Sequence, residues 1–150
     1  MTLPDQTFAA LHTAADCAIG VQLFTVTVQD AAAGVVRRAY SSHPEDYPVS
    51  GTKPLQTDRW SAQVLGEGRM FVANTTAEFA DVFPDHALIN ALGCQSAVNV
   101  PVTLGGVVLG TVNLLDVEGH FTPDRLAVLQ RLMAAWQGRL VTAMRAVPMA

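Results

Sequence analysis

The chain has 150 residues, of which 50% are hydrophobic and 15% charged, with a formal net charge of −4. This length and apolar content support one domain, residues 1–150, with a sizeable core, and they exclude a disordered chain. Nine Lys and Arg against thirteen Asp and Glu leave no basic stripe for a phosphate backbone, and apolar runs stop short of a membrane span, so neither nucleic acid nor membrane is an expected partner.

The elements follow in chain order. Residues 4–17 read as a helix, with Pro4 in the first turn and Phe8, Leu11 and Ala15 on one face. Residues 20–29 alternate and are β-branched, and with residues 35–42 they read as a hairpin turning over Asp30 to Gly34. Residues 43–56, with Pro44, Pro48, Gly51 and Pro54, read as a loop. Residues 57–66 read as a short helix capped by Thr57 and closed at Gly66. Met70 to Ala73 suits a short strand. Residues 74–93 suit one or two short helices broken at Pro84.

Two strongly apolar runs then flank Gly105-Gly106, which is a hairpin signal. Their near-continuous hydrophobicity predicts a central position in a sheet covered on both faces. A two-residue turn predicts pairs Val98 with Asn113, Val100 with Thr111 and Val102 with Leu109. Asn99, Ala97, Gly110 and Asp116 then share a roomier, more polar face, while Asn113 goes to the other. Thr122-Pro123-Asp124 starts a helix predicted to run to about residue 146. Its Leu126, Leu129, Met133, Trp136, Leu140, Ala143 and Val147 form a heptad seam, which predicts a homodimer.

The fold class implied is α+β: a central antiparallel sheet of five to six strands, with the N- and C-terminal helices on one face. The short helices and loops of residues 43–93 cover the other face and form a pocket there. The N-terminus lacks the basic residues and apolar core of a signal peptide, so the expected location is cytoplasmic. Cys17 and Cys94 are too far apart for a CxxC motif, and His12, His43, His86 and His120 show no metal-ligand spacing.

The stretches Leu92 to Val102, Gly105 to Leu114 and Phe121-Thr122-Pro123-Asp124 resemble the C-terminal half of a GAF domain. The features in common are a Ser and Val-Pro strand, a Gly turn, a Leu-Gly strand and a Phe-Thr-Pro helix start. The element order is similar over almost the whole chain and is GAF/PAS-like. The resemblance implies a sensory or regulatory module that binds an unidentified small molecule, is not an enzyme, pairs through its terminal helices and signals to a separate output protein. Specialised signatures of the family are missing. Asn74 is followed by Thr75 and Phe79 leads to Asp81-Val82, unlike cyclic-nucleotide members, and residues 107–117 hold no cysteine, unlike the free methionine-R-sulfoxide reductases. A redox enzyme using Cys94 is the alternative reading, and a ligand-free dimerisation or adaptor module is the third.

Candidate ligand contacts are Tyr40, Ser42, Trp60, Phe71, Asn74, Phe79, Phe83, His86, Cys94, Ser96, Asn99 and Asp116. Each has a plainer reading. The aromatic residues suit ordinary core packing, and Cys94 suits a small buried hydrophobe. The asparagine amides suit bonds to loop backbone, and a lone His such as His86 seldom holds a metal.

Overall fold

The structure, a computed structural model, describes residues 2–148. Helix α1 (Leu3–Ile19) opens on reciprocal bonds: the Asp5 N–H donates to Thr2 Oγ1 at 3.2 Å and the Thr2 N–H to Asp5 Oδ2 at 3.1 Å. Strands β1 (Leu23–Asp30), β2 (Val35–Ser41) and β3 (Thr52–Pro54) follow. Helix α2 (Arg59–Ser61) widens into a π turn over Ala62–Gly66. Then come β4 (Phe71–Ala73), α3 (Thr76–Phe79), α4 (His86–Ala91), β5 (Ser96–Leu104), β6 (Val107–Asp116) and α5 (Pro123–Arg145). The sheet has six strands in the order β3-β2-β1-β6-β5-β4, with every neighbouring pair antiparallel.

Two details differ from the sequence reading. The loop over 43–56 contains the edge strand β3, which is too short to announce itself by alternation. The cap of α2 is Asp58 rather than Thr57: its carboxylate accepts from the Ser61 N–H at 2.8 Å, and its own N–H donates to Ser61 Oγ at 2.9 Å. At α5, Thr122 Oγ1 does accept from the Arg125 N–H, at 3.3 Å.

Both faces of the sheet are covered. Helices α1 and α5 bury Phe8, Leu11, Leu129, Met133 and Leu140 against Phe24, Val26, Val98, Val112 and Leu114. On the opposite face, Val64, Phe79 and Ile89 close over Leu23, Phe71, Ala97 and Leu115. The heptad seam of α5 is therefore largely consumed inside this chain, and Trp136 at its rim stacks under the Arg139 guanidinium at 3.7 Å. No helix among the described residues is long and apolar enough to cross a membrane.

Two bulges set which residues face the second layer. Past the Gly105-Gly106 turn, where both φ are positive (59° and 80°), Leu104 pairs with Val107 and Thr103 with Val108. Leu109 is then extra, and Val102 pairs with Gly110. Asn99 therefore stands opposite Asn113, which corrects the expectation that the two amides lie on different faces. Without the bulge the Asn113 amide would enter the apolar α1/α5 core without partners, at a cost of about 1–3 kcal/mol. In β2, Ala39 is the extra residue, so Tyr40 pairs with Val26 on the helix side and Arg38 with Thr27 on the other side.

Gly110 also marks the closest approach of β6 to β1: a Cβ there would sit 2.2 Å from the Thr27 carbonyl oxygen. Gly110→Ala is expected to lower unfolding free energy by about 3 kcal/mol in urea titration, since backbone must move to admit the methyl. Gly138→Ala meets nothing within 4 Å on an exposed helix face and is expected to raise stability by roughly 0.5–1 kcal/mol in the same titration.

Candidate functional site

Between the sheet and the layer of short helices lies a cavity of about 140 Å³. That volume is of the order that takes a single ring or a short branched chain. Its floor is the face of β1, β6 and β5 that carries Thr25, Thr27, Thr111, Asn113 and Asn99. Its cover is apolar: Leu65 of the π turn, Val82 and Phe83 after α3, and Ile89 of α4, with Trp60 of α2 at one side. Phe83 is held by three rings, with centroids 6.4 Å from Trp60, 6.0 Å from Phe71 and 5.3 Å from Phe79. The cover is tied together by Arg59, whose guanidinium donates to both carboxylate oxygens of Asp81 at 2.9 and 2.7 Å and to Glu78 O at 2.6 Å.

The floor carries a directed chain of hydrogen bonds. Trp60 Nε1 donates to Asn99 Oδ1 at 2.9 Å, Asn99 Nδ2 to Asn113 Oδ1 at 2.7 Å, and Asn113 Nδ2 to Thr25 Oγ1 at 3.1 Å. An indole N–H can only donate, so it fixes the orientation of both amides down the chain. Beside the chain, Thr27 Oγ1 and Thr111 Oγ1 lie 2.6 Å apart. Only one of these two hydroxyls can donate to the other, so one keeps its hydrogen for another acceptor.

One end of the cavity is charged. Arg38 lies over the Tyr47 ring, 4.9 Å from its centroid, and its Nη1 donates to Pro48 O at 3.1 Å. Its Nε is buried without a partner. Burial lowers the Arg38 pKa, with Tyr47 and Asp85 acting in the other direction. The Tyr47 hydroxyl donates to Asp85 Oδ2 at 2.5 Å; burial, and next this bond, push its pKa up, so the phenol stays protonated. Lys53 of β3, paired with Val36 of β2, also lines the cavity.

The family model of the GAF domain matches residues 3–135. The chain belongs to the GAF domain family. This is a family of sensory and regulatory ligand-binding domains, generally regulatory modules rather than enzymes. Comparison with curated proteins gives no match. Among solved structures, the chain is similar to the GAF domain/HD domain protein of Geobacter sulfurreducens, at 12% identity over 99% of each chain with a TM-score of 0.75. It is also similar to the GAF domain of a two-component sensor histidine kinase from Bacillus halodurans, at 13% identity over 91% of this chain and 92% of that one, with a TM-score of 0.71. The GAF domain of a phosphoenolpyruvate-protein phosphotransferase from Coxiella burnetii gives 14% identity over 95% and 84%, with a TM-score of 0.72. At these identities the likeness concerns the fold.

In this GAF domain, three of the residues singled out from sequence, Trp60, Phe83 and Asn99, line the cavity together. Phe71 and Phe79 stand behind Phe83 as core. Tyr40 lies on the opposite face of the sheet, with its hydroxyl 3.0 Å from His12 Nδ1, because the Ala39 bulge turns it there. Ser42 Oγ accepts from the Phe24 N–H at 2.9 Å. Asn74 clamps Phe121, donating from Nδ2 to its carbonyl at 3.1 Å and accepting its N–H at 3.0 Å. Ser96 Oγ donates to Val117 O at 2.7 Å, and Asp116 Oδ1 accepts from the Val117 N–H at 2.7 Å. His86 Nδ1 donates to Phe83 O at 2.9 Å. These polar groups are taken up outside the cavity, Tyr40 by the His12 side chain and the others by backbone groups.

Cys94 is fully buried, and burial, with Asp116 adding to it, pushes its thiol up to about 11. It does not line the cavity. Among the described residues no group of three or more His, Cys, Asp or Glu could hold a metal ion.

The residues that sequence reasoning missed are Thr25, Thr27, Thr111 and Arg38. For the first two a signal existed: Thr25, Thr27 and Gln29 alternate with Phe24, Val26 and Val28 along β1. Arg38 had none, because its facing depends on the bulge.

Two measurements follow from this geometry. Asn99→Ala leaves the Trp60 indole and the Asn113 carbonyl without partners, and is expected to cost about 2–4 kcal/mol in denaturant titration. A double-mutant cycle of Asn99→Ala with Asn113→Ala should give a coupling of about 1 kcal/mol or more. With an aromatic disulfide reagent at pH 8, one thiol equivalent, the exposed Cys17, is expected to react in the native protein. Cys94 should react only after unfolding, because below about pH 11 it stays a thiol and is shielded from solvent.

Proposed function

We propose that this single GAF domain is a cytoplasmic, non-enzymatic sensor that captures a small molecule between the sheet and the layer of residues 43–93. The observation that carries this reading is the cavity itself, with an apolar cover over a floor of oriented amides and hydroxyls. A close-packed core fills such space with side chains, and polar groups with spare hydrogen-bonding capacity at a cavity wall are what a ligand site presents. Ligand capture shifts the short-helix layer toward its closed arrangement, and the terminal helices carry the change outward. Since the seam of α5 packs within the chain, a second copy or a separate output protein docks on the outer faces of α1 and α5.

The burial of Cys94 and its raised pKa speak against the competing sulfoxide-reductase reading, since a thiolate is the reactive species. Native mass spectrometry of freshly purified protein tests the proposal. A co-purifying small molecule, lost from a Thr111→Leu variant that fills the floor, is the expected outcome. A ligand-free spectrum together with an unchanged Trp60 indole N–H resonance across a metabolite extract would overturn it in favour of the adaptor reading.

A further inference from the structure

Two adjacent arginines in β2 are treated differently by the fold. Arg37 pairs with Asp30 at 3.3 Å. Arg38, turned to the cavity by the Ala39 bulge, has no carboxylate partner: the other ion pairs among the described residues are Arg59–Asp81, Arg69–Glu67 and His120–Asp116. The acidic side chain that lines the same end, Asp85, accepts the Tyr47 hydroxyl instead. Lys53, on the neighbouring edge strand, adds a second cation to this lining and also forms no ion pair among the described residues.

The Arg38 guanidinium is partly removed from water and makes no direct ion pair: Asp85, hydrogen-bonded to the Tyr47 hydroxyl, acts on it only through space, and an anion arriving in direct contact relieves the remaining cost. The Arg38 Nε is shut off from solvent without a partner, as is Arg37 Nε, and Arg38 Nη1 is held by Pro48 O, but Arg38 alone of the two lines the cavity. A guanidinium at a cavity wall holds a carboxylate by charge-assisted hydrogen bonds from the N–H groups it presents there. The cover opposite is apolar, built from Leu65, Val82, Phe83 and Ile89, and the cavity volume of about 140 Å³ admits a body of about one ring.

Resting on the reading of this cavity as the ligand site, we propose that it binds a small organic carboxylate, with the apolar body under Phe83 and the carboxylate on Arg38. The amide and hydroxyl floor then serves any polar substituent on the body, and Lys53 strengthens the attraction for the anion from the cavity mouth.

The test uses four probes on the full chain: sodium benzoate, benzamide, benzyl alcohol and phenyl phosphate. Binding is followed by calorimetry and by the Trp60 indole N–H resonance. Benzoate is expected to bind about tenfold or more tightly than benzamide, the gain of one charge-assisted contact. Arg38→Met is expected to abolish that preference while leaving benzyl alcohol binding in place; should this variant fail to fold, the comparison of benzoate with benzamide on the unaltered chain decides alone. Equal binding of benzoate, benzamide and benzyl alcohol would overturn the carboxylate inference and leave the cavity reading standing. Tighter binding of phenyl phosphate than of benzoate would also overturn it, in favour of a phosphate ester. Failure of all four probes to bind would overturn the cavity reading, and the inference with it.

Discussion

The hydrogen bond between Asn99 and Asn113, across the central pair of strands, is the contact on which the rest of the second layer depends. It exists only because Leu109 is bulged out and moves every later pair of the hairpin by one residue. A single-residue shift exchanges the two faces of a strand, so the alternative register would bury the Asn113 amide among Phe24, Val26 and Val98. The energetic penalty of an unpaired buried amide thus selects the register, and the register in turn places a row of hydrogen-bonding side chains under the short helices. The donor-only indole of Trp60 then leaves the amides a single orientation.

The sheet divides its two faces between different tasks. On the side of α1 and α5, large aliphatic and aromatic groups interlock, with Phe8, Leu11, Phe24 and Leu140 wholly excluded from solvent. On the other side the covering helices are only a turn or two long, and their packing leaves a cavity where the floor is polar. Short helices bury little apolar surface each and depend on side-chain ties such as Arg59 to Asp81.

Much of this was legible in the sequence, for local reasons. Thr122-Pro123 starts α5 by cap chemistry confined to neighbouring residues, and Gly105-Gly106 turns the hairpin by backbone freedom alone. The antiparallel sheet, read as five to six strands and found to have six, and the placing of the terminal helices together on one face followed from element order. The facing of Asn113 and Arg38 did not, because bulges answer to contacts distant in sequence, such as Gly110 against the Thr27 carbonyl. Edge strand β3 escaped notice because its pairing with β2, not its own pattern, makes it a strand. Trp60, Phe83 and Asn99 were legible as candidates by residue type, whereas Tyr40, equally plausible by type, went to the other face with the same bulge that turned Arg38 inward.

Asn74 has a mechanical meaning beyond its hydrogen bonds. Its side chain grips both backbone groups of Phe121, and its own carbonyl accepts from the Gly119 N–H at 2.9 Å, so the start of the 74–83 segment is fastened to the residues just ahead of α5. The far end of the same segment carries Phe83 into the cavity. Cavity and terminal helix are therefore joined by one short run of chain, pinned at Asn74 to the residues that lead into α5 and at Phe83 among the rings of Trp60, Phe71 and Phe79.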